Sequence, residues 1–456
     1  MTGTFPPQVR ARAAPSGGLM RVLGIGFGLA VIVGSTLGIG ILRTPGLVAR
    51  ELGSPGSIVL VWLVGGVYTL LGSVCLAELG TALPQAGGYY VYARRTFGDT
   101  VGFAVGWTDW LTYCAVLGYV SIGIGEFSTV LLHLPDPAGK GIAIAALISF
   151  TALQWAGVRV GSQFQQVTTA LKSLAFLALG VACFIHAARS AALVTGAPPP
   201  TPNRPALFGI VVALQSVVIT YAGWQSALYF AEEDRDPRRT LPMSMIGGVL
   251  SVIVIYLLVN LALLAVLPLP ALSQSTLPAA VAAQVVFGGR GNQIITLLSL
   301  VSLLPLINAI MMIGTRILFA IGRDGLLWRG SAVVSERGTP TRAALVTTGV
   351  AVALILSGTF QKLVAVASFF LAANYCVCCL ALIVLRRREP LLARPFRAWG
   401  YPWSARIVLA GAALFLVGVL VGDTQTALVA VGLLVVGLLA RLGLSKRIKP
   451  APTLGN

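Results

Sequence analysis

The sequence predicts an all-α membrane protein with twelve transmembrane helices. Three observations carry that prediction: composition, the spacing of apolar runs and the placement of charge. Of 456 residues, 57% are hydrophobic and 10% charged, and the mean hydropathy is +0.89. Soluble domains carry nearer a quarter charged residues. About 20 apolar residues cross the roughly 30 Å of a bilayer's hydrocarbon, so the chain has room for about a dozen spans and no sizeable soluble domain.

The spans lie at about 21–50, 56–82, 100–132, 140–157, 164–188, 207–231, 241–267, 292–320, 343–358, 362–385, 403–421 and 424–441. They are read as helices because lipid offers backbone groups no water, and because the alternation of a membrane barrel is absent. Residues 1–20 hold Arg10 and Arg12 but no apolar core, which suits a cytosolic tail rather than a cleavable signal. Pro-rich TGAPPPTPNRP (195–205) is an extramembrane break between the fifth and sixth spans.

The net charge of +18 is accounted for by its placement. With a cytosolic N-terminus, 22 of the 32 basic residues fall in cytosolic loops and tails, six on the opposite side and four within or at the ends of helices. The positive-inside rule then puts both termini in the cytosol of a plasma or inner membrane. Anionic lipid headgroups are a sufficient partner for this charge, and no nucleic acid is needed.

Catalytic and cofactor readings find little support. Cys75, Cys114, Cys183, Cys376, Cys378 and Cys379 all lie in spans, so no disulfide framework is expected. With His133 and His186 remote from them, neither a metal site nor any cofactor is expected, and the cysteines read as small packing residues. GIGFG (24–28) and GIGILRTPG (38–46) follow no strand and lack a Gly-Lys-Ser/Thr ending, so they are not phosphate loops. No catalytic constellation is visible. The chain is built to move something rather than to transform it.

The first span contains IVGSTLGIGILRTPG (32–46), with Gly34, Ser35, Thr36, Gly38 and Gly40 inside seven residues. Glycine costs about 1 kcal/mol against alanine in a helix. Either the span is interrupted, with freed amides and carbonyls lining a cavity, or Gly34 and Gly38 form a close helix contact. This stretch alone leaves both open. The sixth span carries a second disturbance, with Tyr221, Gly223, Trp224, Gln225 and Ser226 in an apolar run. Broken spans at corresponding places in two halves point to a binding site, although the repeat is inferred from position and not from residue identity.

The motifs resemble those of the amino acid-polyamine-organocation (APC) superfamily of permeases, closest to the L-type amino acid transporter group and its bacterial relatives. The resemblance runs through IVGSTLGIGILRTPG, CLAELGTALPQAGGYYVYARRTFG (75–98), YAGW with AEEDRDPRRTLP (221–242), GTRILFAIGRDGLLW (314–328) and LIVLRRREPLLARPFRAWGYPW (382–403). It implies a leucine-transporter-like fold with a transport core at 21–400. Within it, helices 1–5 (about 21–190) and 6–10 (about 206–388) form inverted repeats; two peripheral helices (401–445) and a cytosolic tail (446–456) follow. It also implies a substrate site. The substrate carboxylate would meet backbone amides near Thr36, Leu37, Gly38, Ile39 and Gly40, and its amino group carbonyls near Val33, Gly34, Tyr221 and Ala222, beside the Gly223 break. Trp224 would be an aromatic lid.

Two residues depart from the family pattern. Ile39 stands where a small hydroxyl residue is usual, which leaves carboxylate binding to amides and to Ser35 or Thr36 and narrows the pocket. Arg43 either snorkels to the outer surface or adds positive potential to the outer vestibule. Lys172, about two turns inside the fifth span, costs on the order of 2.5–3.5 kcal/mol to insert. The resemblance matches it to a lysine at the sodium position of sodium-coupled relatives, bonded near Gly34; the alternative is snorkelling. It implies sodium-independent transport, by exchange or by proton coupling if the lysine titrates.

Asp109, Glu126 and Glu78 suit either gates and proton paths or ordinary paired and solvated positions. Ser299, Ser302 and Asn308 are candidates to face the site, and Pro305 to kink the eighth span. No acid flanks either break, so a neutral amino acid is the expected substrate. A cationic amino acid or polyamine permease and a non-transporting sensor are the alternatives. The loop LPDPAGKG (134–141) has no cysteine, so the disulfide-linked heavy subunit of human-type relatives is not expected.

Overall fold

The computed structural model describes residues 18–190, 206–357, 360–422 and 424–445. Most of the expected N-terminal tail, the Pro-rich break at 195–205 and the tail at 446–456 lie outside the described residues. The chain folds as α1 (Ile25–Thr36), α2 (Gly40–Leu52), α3 (Pro55–Ala82), α4 (Tyr89–Phe97), α5 (Asp99–Leu132), α6 (Ala138–Trp155), α7 (Val158–Ser190) and α8 (Ala206–Thr220). It continues with α9 (Pro237–Val266), α10 (Leu269–Gln274), α11 (Pro278–Phe287), α12 (Gly291–Arg323), α13 (Thr341–Ser357), α14 (Phe360–Arg388), α15 (Trp403–Gly422) and α16 (Thr424–Ser445).

Seven helical stretches are long and apolar enough to cross a membrane, and α1 with α2 makes an eighth if that bent pair is one span. Four shorter apolar helices accompany them: Leu207–Thr220, Thr341–Ser357, Trp403–Gly418 and Ala427–Leu442. Every predicted run coincides with a helix, but two are not single helices. The first run divides into α1 and α2, bent by 48°. The sixth stops at Thr220 and resumes as a 3₁₀ turn at Ser226–Phe230. The prediction of spans did not name α4, α10 or α11, which are short, bounded by glycine or proline and below spanning length.

Packing follows from all-round apolar helices, which are stable only against other helices or lipid. The long α5 and α12 form the centre, packed on each other and on α14, α7 and α13. Outside, α16 leaves Leu428, Val436 and Leu439 exposed, and α15 leaves Leu414 and Val417, as lipid-facing helices do. On the face where α1 begins, backbone bonds tie Leu23 to the segment after the 3₁₀ turn: Leu23 N–H donates to Glu233 O at 3.0 Å and Arg235 N–H to Leu23 O at 3.1 Å. Pro305 sits inside α12, whose helix continues through it.

Candidate functional site

The first break places two helix ends back to back. α1 closes with Leu37 N–H donating to Val33 O at 2.9 Å, and α2 opens at Gly40 with no side-chain cap. The first amides of a helix have no intrahelical acceptor, and with the aligned peptide dipoles they favour an anion there. The glycines divide between the two readings of this stretch. A Cβ on Gly34 would lie 2.4 Å from Gln165 Nε2 and Thr169 Oγ1, so Gly34 serves close packing on α7. Gly38 and Gly40 instead line a cavity.

The second break is held against the first. Gly223 has φ +121°, and a Cβ there would lie 2.8 Å from Ser35 C and O and 2.9 Å from Thr36 N. Ser35 Oγ is 3.0 Å from Gly223 O and 2.8 Å from Ser226 Oγ. The Tyr256 hydroxyl, on α9, lies 2.7 Å from Thr36 O and 2.9 Å from Thr220 O, so it can donate to either broken helix. Gly223→Ala is therefore expected to destabilise the protein by about 1–3 kcal/mol from backbone strain alone, with the approach to Ser35 adding to it. A thermal melt of purified protein unchanged from wild type would refute this contact.

Six helices and the two breaks wall a cavity of about 420 Å³. α2 contributes Gly40, Arg43, Thr44 and Leu47; α5 contributes Thr112, Tyr113, Val116, Tyr119 and Val120; α1, α8, α12, α14 and the residues of the breaks supply the rest. Of the residues expected to bind substrate, Ser35, Thr36, Gly38, Ile39, Gly40, Ala222 and Gly223 line it. Val33, Gly34, Leu37, Tyr221 and Trp224 are absent from its lining. Tyr221 instead packs on Trp62 and Tyr256, its hydroxyl donating to Trp62 O at 3.2 Å. Trp224 does not stand over the cavity as the lid reading required: its ring packs on Tyr375, 5.6 Å between centroids, and against Gly72.

Lys172 is fully buried, and its Nζ donates to Gly34 O and Ser302 O, both at 2.9 Å. It joins the end of α1 to α12, and it does not snorkel. Ser299, Ser302 and Asn308 do not line the cavity; Asn308 instead links α12 to Gly161, Gln165 and Gln154. Asp109 is buried and accepts from the Tyr229 hydroxyl at 2.8 Å, whereas Glu126 is exposed. Glu78 is buried and paired with Arg386 and Arg394.

Sequence reasoning missed two features. The first is the α5 wall, whose lining positions repeat at helical spacing but are hidden because its other faces are equally apolar. The second is a cluster of charge pairs on the face where α1 begins. There Arg316, on α12, makes a two-pronged pair with Glu233 at 2.8 and 3.0 Å, both fully buried. Arg323 pairs with Glu232, whose carboxylate also accepts Ala86 N–H at 2.9 Å. Among the described residues no three His, Cys, Asp or Glu side chains gather as metal ligands.

Two broken helices in backbone contact, beside a cavity sized for a small molecule within an apolar helical bundle, define a membrane permease. A family model described as amino acid permease matches residues 28–439, and the chain belongs to that family. It therefore falls among transporters and not enzymes. It is similar to the serine/threonine exchanger SteT of Bacillus subtilis (strain 168), 26% identical over 437 residues that cover 94% of this chain and 98% of that protein. It is also similar to the b(0,+)-type amino acid transporter 1 of Mus musculus, 28% identical over 420 residues (88% and 82% covered). The Asc-type amino acid transporter 1 of Mus musculus is 29% identical over 397 residues (83% and 73%).

Proposed function

We propose that this permease exchanges neutral L-amino acids across the membrane without sodium. The observation that carries the proposal is the Lys172 Nζ donating to Gly34 O and Ser302 O. Backbone carbonyls at the end of a broken helix are the ligands a transporter offers to a monovalent cation. Here the Lys172 side-chain nitrogen donates to Gly34 O at the end of α1 and to Ser302 O on α12, so no ion is needed to hold α1 against α12. The relatives' names, a serine/threonine exchanger among them, support exchange of amino acids.

In this reading the substrate carboxylate sits at the uncapped start of α2, near Thr36, Gly38, Ile39 and Gly40, and the amino group reaches carbonyls around the second break. Tyr113, Gln225 and Ser226 complete the wall. The eight apolar spans and four shorter apolar helices make twelve crossings. α1–α7 and α8–α14 form the two inverted repeats of the core (21–400), α15 and α16 are peripheral (401–445), and both termini are cytosolic. The Arg316–Glu233 and Arg323–Glu232 pairs then close the cytosolic side, and the cavity belongs to the outer pathway. Alternating access opens one closure as the other forms.

Counterflow in proteoliposomes tests the function. Uptake of a radiolabelled neutral amino acid is expected to require unlabelled substrate inside the vesicles and to be indifferent to replacing sodium with choline. Uptake that needs a sodium gradient and ignores internal substrate would overturn it.

A further inference from the structure

We infer that Arg43 is a charge filter on the approach to the cavity, selecting against amino acids whose side chains are cationic. The inference rests on the cavity being the amino acid site. Gly40, Arg43, Thr44 and Leu47 line it from α2, the i, i+3, i+4, i+7 stripe of one helical face. Arg43 thus stands on the same face as the start of α2 and one turn beyond it. It is exposed, and among the described residues no ion pair engages it.

Among the described residues Arg43 is also the only charged one in the cavity lining; the others are apolar, glycine, hydroxyl or amide side chains. The acids of the neighbouring helices do not neutralise it. Glu51 is eight residues further along α2, about 12 Å along the axis at 1.5 Å per residue. Glu126, on α5, is exposed and outside the lining. Asp109 is buried on Tyr229 and also outside it.

An arginine keeps its charge at every physiological pH, and low-dielectric walls focus its field into the cleft. A zwitterion gains for its carboxylate as much as it loses for its amino group. A second cationic centre only loses, and no carboxylate in the lining compensates it. At an effective dielectric of about 20, a like charge within about 10 Å is disfavoured on the order of tenfold. This is specificity by repulsion, which an apolar cavity of this breadth does not otherwise possess.

The test measures how well unlabelled lysine and unlabelled serine inhibit counterflow of a labelled neutral amino acid, for wild type, Arg43→Lys, Arg43→Gln and Arg43→Glu. The ratio of the two inhibitory concentrations is the readout. Lysine is expected to compete poorly in wild type and Arg43→Lys, about tenfold better in Arg43→Gln and better still in Arg43→Glu. In wild type, lysine is also expected to gain on serine as ionic strength rises and the charge is screened. A variant with too little exchange is read by the same ratio in ligand-induced thermal stabilisation. A ratio indifferent to the charge at position 43 and to salt overturns the filter. Wild-type protein that neither transports nor is stabilised by any neutral amino acid refutes the site itself, a separate failure.

Discussion

Lys172→Ala is expected to cut sodium-independent exchange by about two orders of magnitude, the size of effect that a displacement of about 1 Å has on a positioned site. The side chain is fully buried and holds Gly34 O and Ser302 O at 2.9 Å. Truncation leaves the buried Gly34 O at the end of α1 without its Lys172 donor, at about 1–3 kcal/mol, and frees the end of α1 from α12. The residues next in the chain, Ser35 and Thr36, line the cavity, so the loss falls on the site and not only on stability. Comparing exchange per folded protein, with Lys172→Ala quantified by size-exclusion chromatography, separates the two. Exchange that survives the substitution would mean that the ammonium is a packing detail. Sodium-dependent uptake by wild type as well would remove the coupling mechanism proposed from it.

Arg316→Ala is expected to be the most destabilising single change in the cluster of charge pairs, by about 3–5 kcal/mol, because it leaves the Glu233 carboxylate buried and uncompensated. Both partners are fully buried, the guanidinium also lies over the Phe230 ring at 5.3 Å, and the same segment carries the Leu23 backbone bonds. Exchanging both members for apolar residues, as in Arg316→Met with Glu233→Leu, is expected to recover much of the loss, since burying two charges costs several kcal/mol that apolar packing avoids. Thermal unfolding of the two singles and the double provides the cycle. A single Arg316→Ala that melts with wild type would show that water reaches the pair. A recovered melt without recovered exchange would assign the pair to the opening and closing of that face.

Much of this protein is legible in its sequence, because hydrocarbon imposes its demands locally. A chain in lipid must satisfy its backbone within each segment, so composition and run length pointed to the class and to the helical runs. The same demand exposed the exceptions. Glycines and hydroxyls at 34–40 and 221–226 marked the two breaks, and Lys172 stood out because an ammonium at that depth requires a reason.

What remained is a matter of rotation about helix axes and of partners distant in sequence. A helix that is apolar on every side carries no stripe to say which face turns inward, so the α5 wall at Thr112, Tyr113 and Val116 emerged only from packing. Trp224 read as a lid from its place beside the break, yet tertiary structure turned its ring onto Tyr375. Glu233 and Arg316 stand 83 residues apart, and nothing in either local sequence pairs them. The sequence therefore determined an apolar bundle of helices, marked two disturbed spans and a lysine deep in the fifth, and resembled a permease. Only the tertiary structure decided which side chains meet in the cavity and which charges pair, since those depend on the mutual rotation and approach of helices that local composition does not encode.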